Sequence, residues 1–278
     1  RYSAQLREQQ WWQAGVERAT RAAVLSQDLG LPPLYMLYSA AHVLWPTHLT
    51  NDDYALLAQR AAGTLLVPQG STIVEIGAEV GAYTLLLAHW HPTSRVVAVE
   101  PNPSSHRYLV WSVGVNRMTP RVLPVNAGIT EDGGDVWIDE CVGFEYGYCD
   151  TYAGATGAEP AAGMSQLVSG ITPARLLGLV GEEVIGLLLI DCEGCEWALL
   201  QSTAWAAVAP RVLDIRGELH CRMGPQAALY TFQGWADLRV ALAQPECVER
   251  GGGQPWLAAV PHGRGEPGRV RRPPGHTG

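Results

Sequence analysis

The stretch that decides the fold is Glu75-Ile76-Gly77-Ala78-Glu79-Val80-Gly81-Ala82-Tyr83-Thr84, where an apolar run ends and two glycines lead into a helical segment. Glycine permits unusual backbone torsions and lets a ligand approach the main chain beside the exposed N–H groups of a helix start. The dinucleotide fingerprint G-x-G-x-x-G is absent, because no third glycine follows Gly77 and Gly81 at that spacing. The stretch therefore predicts a strand, a ligand-binding turn and a helix, and it argues against NAD.

Short apolar runs alternate with helical segments on the C-terminal side of this stretch, as in a parallel sheet with crossover helices. The runs are continuous rather than alternating, which is typical of strands buried on both faces. We predict an α/β fold with a Rossmann-like, doubly wound, mostly parallel sheet and a helical N-terminal extension. The predicted strands cover residues 72–76, 95–100, 121–125, 184–190 and 211–215, and the predicted helices cover residues 82–90, 103–115, 193–207 and 225–242.

Composition divides the chain into three parts. Residues 1–65 form the predicted helical extension, with helices expected over 5–29 and 51–62. Residues 66–250 form the ligand-binding domain, in which the long segment 133–163 is interpreted as a loop with a short strand or hairpin arm at 135–139; loops of this length often cover a binding site. Residues 251–278 are rich in Gly, Pro and Arg, a composition typical of a disordered tail.

Length and charge limit the class of protein. With 278 residues, 47% of them hydrophobic, the chain can bury a sizeable core. No apolar run reaches the roughly 18–20 residues that span a bilayer, so we expect no membrane span in this chain. The formal net charge is −8, and a net negative field repels nucleic acid, so we also expect no nucleic-acid partner. The six cysteines are scattered, and we expect buried free thiols.

An acidic residue also ends the second predicted strand. Glu100 stands twenty-five residues after Glu75 and is followed by Pro101-Asn102-Pro103. At this position of an open α/β fold, a carboxylate can accept hydrogen bonds from both hydroxyls of a ribose. A glycine loop together with a strand-two acid indicates an adenosine-containing ligand. The alternative is a tight turn beside a surface glutamate.

Candidate catalytic residues follow the fourth and fifth predicted strands. Asp191 and Glu193 come directly after the fourth strand, and His220 follows the fifth. These side chains can act as general bases, although a helix dipole also stabilises such carboxylates and a lone histidine is often held by a neighbour. Cys192 and Cys195 form a CxxC motif, but without a second CxxC or a nearby His pair a zinc or redox role is the less favoured interpretation.

Three blocks of the sequence resemble the FkbM-type S-adenosylmethionine-dependent methyltransferases. They cover residues 67–84, 97–103 and 188–196, so that the resemblance extends over residues 66–220. It implies a class I methyltransferase fold with S-adenosylmethionine as cofactor, the methionine moiety and ribose held by the first two blocks, and the third block beside the acceptor pocket. The candidate cofactor-binding residues are Glu75, Gly77, Gly81, Tyr83, Thr84, Glu100 and Asn126.

The resemblance implies an O-methyltransferase that acts on a hydroxyl of a small molecule or glycan, with Asp191, Glu193 or His220 removing the proton. A variant adds a divalent metal held by these three residues, but their spacing is not that of a dedicated cage, and we assign no metal. The alternative function is a catalytically inactive methyltransferase-like scaffold in a larger assembly, because Glu79 and Ile190 stand where the family usually has Asn and Lys.

Overall fold

The computed structural model describes residues 20–24, 35–39, 65, 67–139, 164–181, 183–192, 194–221, 229–244 and 247. The strands are β1 (Thr20–Val24), β2 (Tyr35–Ser39), β3 (Thr72–Ile76), β4 (Arg95–Val99), β5 (Val122–Val125), β6 (Gly128–Ile129), β7 (Val136–Asp139), β8 (Met164–Val168), β9 (Gly170–Ile171), β10 (Ile185–Ile190), β11 (Ile215–His220) and β12 (Leu229–Gln233). The helices are α1 (Ala82–Trp90), α2 (Pro103–Val115), α3 (Pro173–Val180), α4 (Glu196–Leu200), α5 (Thr203–Val208) and α6 (Trp235–Leu242).

Six of these strands form the central sheet, in the order β12-β11-β10-β3-β4-β5. The pairs from β11 to β5 are parallel, and β12 pairs with β11 in the antiparallel sense. Strand β3 is buried along its whole length, with Ile73 in the apolar cluster on one side and Val74 in the cluster on the other. Burial on both faces explains the continuous apolar runs. The predicted doubly wound, mostly parallel α/β sheet is therefore confirmed.

The direction of chain winding reverses between β3 and β10. From β3 the chain passes through α1 to β4 and through α2 to β5, whereas β10 lies on the other side of β3 and continues the sheet to β11. In open α/β sheets, ligands bind outside the carboxyl ends of the strands at such a switch point. The ends of β3 and β10 are in register there, with Ile190 opposite Ile76.

The predictions for β3, α1 and α2 match the observed bounds of these elements. Helix α2 begins there because the side chain of Asn102 accepts hydrogen bonds from the backbone amides of Ser104 and Ser105. Pro103, at the first helical position, has no amide hydrogen to leave unsatisfied. The Asn-Pro pair thus fixes the direction in which the chain leaves β4.

The fifth predicted strand is wrong in position. Residues 209–211 form a short 3₁₀ helix, in which the Arg211 guanidinium donates to the backbone carbonyl of Glu183 at 2.6 Å. Val212 makes a single bridge to Ile185, and the continuous strand runs only from Ile215 to His220. As a consequence, His220 is the last residue of a strand rather than part of the loop that follows it.

Two predicted helices are also wrong in extent. The helix expected over 193–207 is divided into α4 and α5, because the Ser202 hydroxyl accepts from the Trp205 amide and caps a new helix. Within the helix expected over 225–242, residues 229–233 instead form the antiparallel edge strand β12. Gly234, with φ of +99°, makes the turn from β12 into α6.

Outside the central sheet, the predicted N-terminal helix over 5–29 is wrong for Thr20–Val24, which pairs antiparallel with Tyr35–Ser39. Cross-strand pairing satisfies the backbone there and overrides the local helix propensity. The short strand predicted at 135–139 is confirmed as β7, which pairs antiparallel with β8. The predicted helix over 51–62 and the tail 251–278 lie outside the described residues. None of the described helices has the length and apolar character to cross a membrane.

Four cysteines are paired in disulfides, so the expectation of free thiols is wrong for them. Cys192 bonds Cys195 within the CxxC motif, and Cys221 bonds Cys247. The second bond connects the end of β11 to a fully buried residue that follows α6. Cys141 and Cys149 lie outside the described residues.

We expect the Cys221→Ala/Cys247→Ala double variant to lower the free energy of unfolding by about 3.5 kcal/mol, because the lost bond closes a loop that restricts the unfolded chain. Its sequence separation is 26 residues, whereas that of Cys192–Cys195 is 3. The matched Cys192→Ala/Cys195→Ala variant should therefore lose less, about 2 kcal/mol. Urea unfolding of both variants measures the two losses, and an equal or reversed order would contradict the loop argument.

Candidate active site

The glycine loop begins where β3 ends. Gly77 has φ of +88°, and a Cβ atom added there would lie 1.6 Å from the backbone oxygen of Asp191. The Asp191 amide in turn donates to the Ile76 carbonyl at 2.9 Å, so that the loop and the end of β10 are in direct contact. Only glycine fits this close approach, which explains the residue type at position 77.

The loop leads into α1 through two further residues with positive φ. Gly81 is the N-cap of α1 with φ of +97°, and a Cβ there would lie 2.6 Å from Leu109 on α2. Glu79 also has positive φ, at 49°, and its amide donates to a carboxylate oxygen of Glu100 at 2.8 Å. The loop is therefore held against the end of β4 by a specific hydrogen bond.

Glu100 lies at the carboxyl end of β4, as predicted for a ribose ligand. One carboxylate oxygen accepts from the Glu79 amide and the other accepts from the Asn102 amide at 2.7 Å. Burial raises its pKa from 4.5 to about 7, against the lowering effect of these two hydrogen bonds. Each oxygen keeps a further lone pair, so the carboxylate is oriented by the protein and can still accept hydrogen bonds from a ligand.

Glu75 and Thr84 lie deeper and bind each other. The Thr84 hydroxyl donates to the Glu75 carboxylate, and both side chains are buried. Burial raises the pKa of Glu75 from 4.5 to about 8, with smaller raising effects from Glu100 and Asp191. Glu75 is therefore mostly protonated at neutral pH. The described contact connects β3 to α1, and a direct role of either residue in cofactor binding stays a prediction.

Glu75→Gln tests this protonation state. A carboxyl group whose pKa is higher in the folded than in the unfolded chain stabilises the fold at low pH, and that contribution falls as pH rises from about 4.5 to about 8. The wild-type chain should therefore lose stability over this interval more steeply than Glu75→Gln, which cannot titrate. Urea unfolding at several pH values measures both slopes, and parallel slopes would show that Glu75 is ionised in the folded chain.

Asn126 and Tyr83 complete the predicted cofactor residues. The Asn126 side-chain amide donates to the backbone oxygens of Glu100 and Pro101, both at 2.9 Å, and so joins the ends of β4 and β5. Tyr83 is half-buried on the first turn of α1. The structure thus gives Asn126 a supporting role at the edge of the site, and its contact with a cofactor stays a prediction.

A small, mainly apolar pocket opens beside Glu100 at the carboxyl edge of the sheet. Its walls come from the ends of β3 and β4, from the chain around β6 and from the CxxC disulfide. Such a surface suits a flat, apolar group such as an adenine ring. The lining residues are Ile76, Gly77, Val99, Pro101, Ala127, Gly128, Ile129, Val136, Cys192 and Cys195.

The structure brings two of the three predicted catalytic residues together, and the third, Glu193, lies outside the described residues. Asp191, Glu218 and His220 each offer a ligand atom, and these atoms lie within 4.8 Å of one another. His220 Nδ1 also lies 2.9 Å from Glu196 Oε1. Sequence reasoning missed Glu218 and Glu196 as members of this group. The available signal for Glu218 was its position two residues before His220, on the same face of a strand.

The sequence model of the TRM5/TYW2 methyltransferase domain matches residues 50–152, which include the glycine loop and Glu100. The chain carries a methyltransferase domain that uses S-adenosylmethionine. The match does not support the alternative of a catalytically inactive scaffold.

Among solved structures, the chain is similar to the N-terminal domain of human METTL16, with 14% identity and a TM-score of 0.34. The similarity covers 71% of this chain and 63% of that chain. The chain thus spans less than two thirds of the length of that structure. A comparison with curated proteins finds no match.

The family match corrects two expectations from the sequence. The FkbM-type resemblance is wrong, because the matching family is a different S-adenosylmethionine-dependent one. The expected absence of a nucleic-acid partner is also contradicted, because the matched family acts on RNA. Net charge is a property of the whole chain, whereas a binding face is local, so a charge of −8 did not justify that exclusion.

Proposed function

We propose that the chain transfers a methyl group from S-adenosylmethionine to an RNA acceptor. The observation that carries this proposal is the match of residues 50–152 to the TRM5/TYW2 methyltransferase domain, a family that acts on RNA. The matched segment contains both features that suit the cofactor, the glycine loop and Glu100. The substrate class comes from this match, and the geometry supports the cofactor half of the site.

The residues at the carboxyl edge fit an adenosine-containing cofactor. Glu100, fixed by two backbone amides, accepts hydrogen bonds from the ribose hydroxyls. The apolar pocket beside it, lined in part by Pro101 and Ala127, would hold the adenine ring. Gly77 also lines this pocket, where the absence of a side chain would let the cofactor lie close to the main chain. When bound, S-adenosylmethionine supplies an electrophilic methyl group, so the protein mainly has to align the acceptor atom with it.

Asp191 and His220 belong to the acceptor side in this proposal. Asp191 follows β10, next to the glycine loop, and His220 ends the neighbouring strand β11. The carboxylate can accept a hydrogen bond from the acceptor and take its proton as the reaction proceeds. The role of Glu193 stays a prediction from the sequence.

Asp191→Asn tests the acceptor-side assignment. The amide keeps the shape of the side chain but is a far weaker base, so we expect kcat to fall by about 10²–10⁴. Cofactor affinity should stay close to that of the wild type, because Glu100 and the pocket are unchanged. Single-turnover kinetics and a cofactor titration measure the two quantities, and a loss of affinity without a loss of kcat would contradict the assignment.

The proposed function is tested by methyl transfer from radiolabelled S-adenosylmethionine to total cellular RNA. We expect label in the RNA fraction, removed by ribonuclease and recovered in a methylated nucleoside. Label in protein or small molecules, with none in RNA, would overturn the substrate class. Absence of both transfer and a cofactor-induced rise in the unfolding temperature would overturn the assignment of the cofactor site.

A further inference from the structure

A group of metal-binding side chains lies at the carboxyl ends of β10 and β11. Asp191, Glu218 and His220 each offer one ligand atom, and these three atoms lie within 4.8 Å of one another. Within the group, His220 Nε2 lies 3.9 Å from Glu218 Oε2. Metal–ligand bonds of 2.0–2.2 Å place ligand atoms about 3–4 Å apart around one ion, so small side-chain adjustments bring these atoms to ligand distance. We propose that Asp191, Glu218 and His220 bind a divalent transition-metal ion.

The orientation of His220 supports this proposal. Its Nδ1 lies 2.9 Å from Glu196 Oε1, and the Glu196 side chain is fully buried. A carboxylate at Nδ1 holds the proton on that nitrogen, so that Nε2 carries the lone pair with which a neutral histidine binds a metal. Nε2 is the nitrogen that faces Glu218. Histidine ligands of metals in proteins are commonly held by a carboxylate in this way.

Glu196 gives a second, independent indication of a cation. Its Oε2 atom is buried and has no hydrogen-bond partner among the described residues. Its Oε1 atom accepts from the Cys192 amide at 3.2 Å in addition to its contact with His220. A buried carboxylate with one unsatisfied oxygen is costly unless a positive charge lies nearby. A divalent ion on the other side of the His220 ring supplies that charge.

The donor set indicates the class of ion. One imidazole nitrogen and two carboxylates suit Mn²⁺, Fe²⁺, Co²⁺ or Zn²⁺ better than Mg²⁺, which prefers an all-oxygen shell. Three protein ligands leave coordination positions open for water or for an oxygen of the acceptor. The ion would lie on the acceptor side of the site, on the assumption that the proposed methyl transfer is correct. The binding of the ion itself does not depend on that assumption.

Titration of the purified, chelator-treated chain with Mn²⁺, followed by electron paramagnetic resonance, tests the site without cofactor or RNA. We expect one ion per chain, displaced by Zn²⁺. Asp191→Asn and Glu218→Gln should each weaken binding at least tenfold. Glu196→Gln should weaken it by about 10- to 100-fold, although Glu196 is not a ligand, because the amide no longer fixes the histidine tautomer.

Glu183→Gln is the matched control. The Glu183 carboxylate accepts a hydrogen bond from the Thr72 hydroxyl at the amino ends of the strands, away from the proposed metal site. It should bind Mn²⁺ as the wild type does. The unfolding temperature of each variant identifies any that is misfolded, and Glu218→Gln, at a partly exposed position, keeps the test valid if the buried Glu196→Gln does not fold. Undiminished binding in Asp191→Asn and Glu218→Gln, or no bound ion in the wild type, would overturn the proposal. Because no methyl transfer is measured, this result is separate from the fate of the proposed function.

Discussion

Gly77→Ala should destabilise the folded chain by more than about 4 kcal/mol, a loss that few single substitutions cause. The added methyl group would lie 1.6 Å from the oxygen and 2.6 Å from the carbon of the Asp191 carbonyl. Backbone atoms cannot move aside as the end of a flexible side chain can. Because the residue also has φ of +88°, alanine is strained there even without the clash. Urea unfolding of the purified variant, or its loss from the soluble fraction, measures the effect.

Gly178→Ala is the control for this experiment. Gly178 lies inside helix α3, and a Cβ added there would meet no atom within 4 Å. Alanine is favoured over glycine in a helix by about 1 kcal/mol, so this variant should be more stable than the wild type. Opposite signs for the same chemical change would show that the contact with Asp191, rather than the loss of glycine, determines the result. Equal effects at the two positions would contradict the described approach of the loop to β10.

The sequence predicted well those elements whose reasons are local. Strand β3 and helices α1 and α2 have the predicted bounds, because a buried run, a glycine turn and an Asn-Pro cap mark their ends. The position of Glu100 at the end of β4 followed from the same local pattern. These elements also carry the residues proposed to bind the cofactor, so the place of the proposed site follows from local patterns, whereas the hydrogen bonds within it do not.

The second half of the sheet depends on contacts that are distant in the sequence. Strand β12 is an edge strand whose pairing with β11 is antiparallel, and its residues gave no apolar run to indicate it. The start of β11 was placed too early because Val212 and Leu213 resemble a strand, although Leu213 is 51% exposed. The sequence therefore places His220 after the strand rather than at its last position, and it does not indicate the partners Glu218 and Glu196.

The prediction of the FkbM-type family was wrong for a different reason. A glycine turn and an acid after the second strand serve to bind an adenosine cofactor on this fold. Enzymes that methylate different acceptors can therefore share both motifs. Motifs shared by all cofactor sites of this kind thus predicted S-adenosylmethionine correctly and could not separate one methyltransferase family from another.

Glu100→Ala should remove most of the cofactor affinity. In the wild type, S-adenosylmethionine at a hundredfold excess over Kd should add about 2.7 kcal/mol to the stability, a rise of roughly 5–11 °C in the unfolding temperature for a chain of this size. Hydrogen bonds to a charged group contribute about 1.5–3 kcal/mol each, so loss of two bonds to the ribose should weaken binding by about 100-fold or more. At the same cofactor concentration the rise should then shrink to about 1–2 °C.

The same variant also leaves the amides of Glu79 and Asn102 without their acceptor, so its unfolding temperature without cofactor should be lower than that of the wild type. The relevant quantity is therefore the rise on adding cofactor, compared with that of Glu183→Gln at the amino ends of the strands. A full rise in Glu100→Ala would mean that the carboxylate only shapes the loop and that the ribose binds elsewhere. A lost rise with an intact one in the control would place the ribose at Glu100, since both variants replace a glutamate and only Glu100 lies beside the pocket.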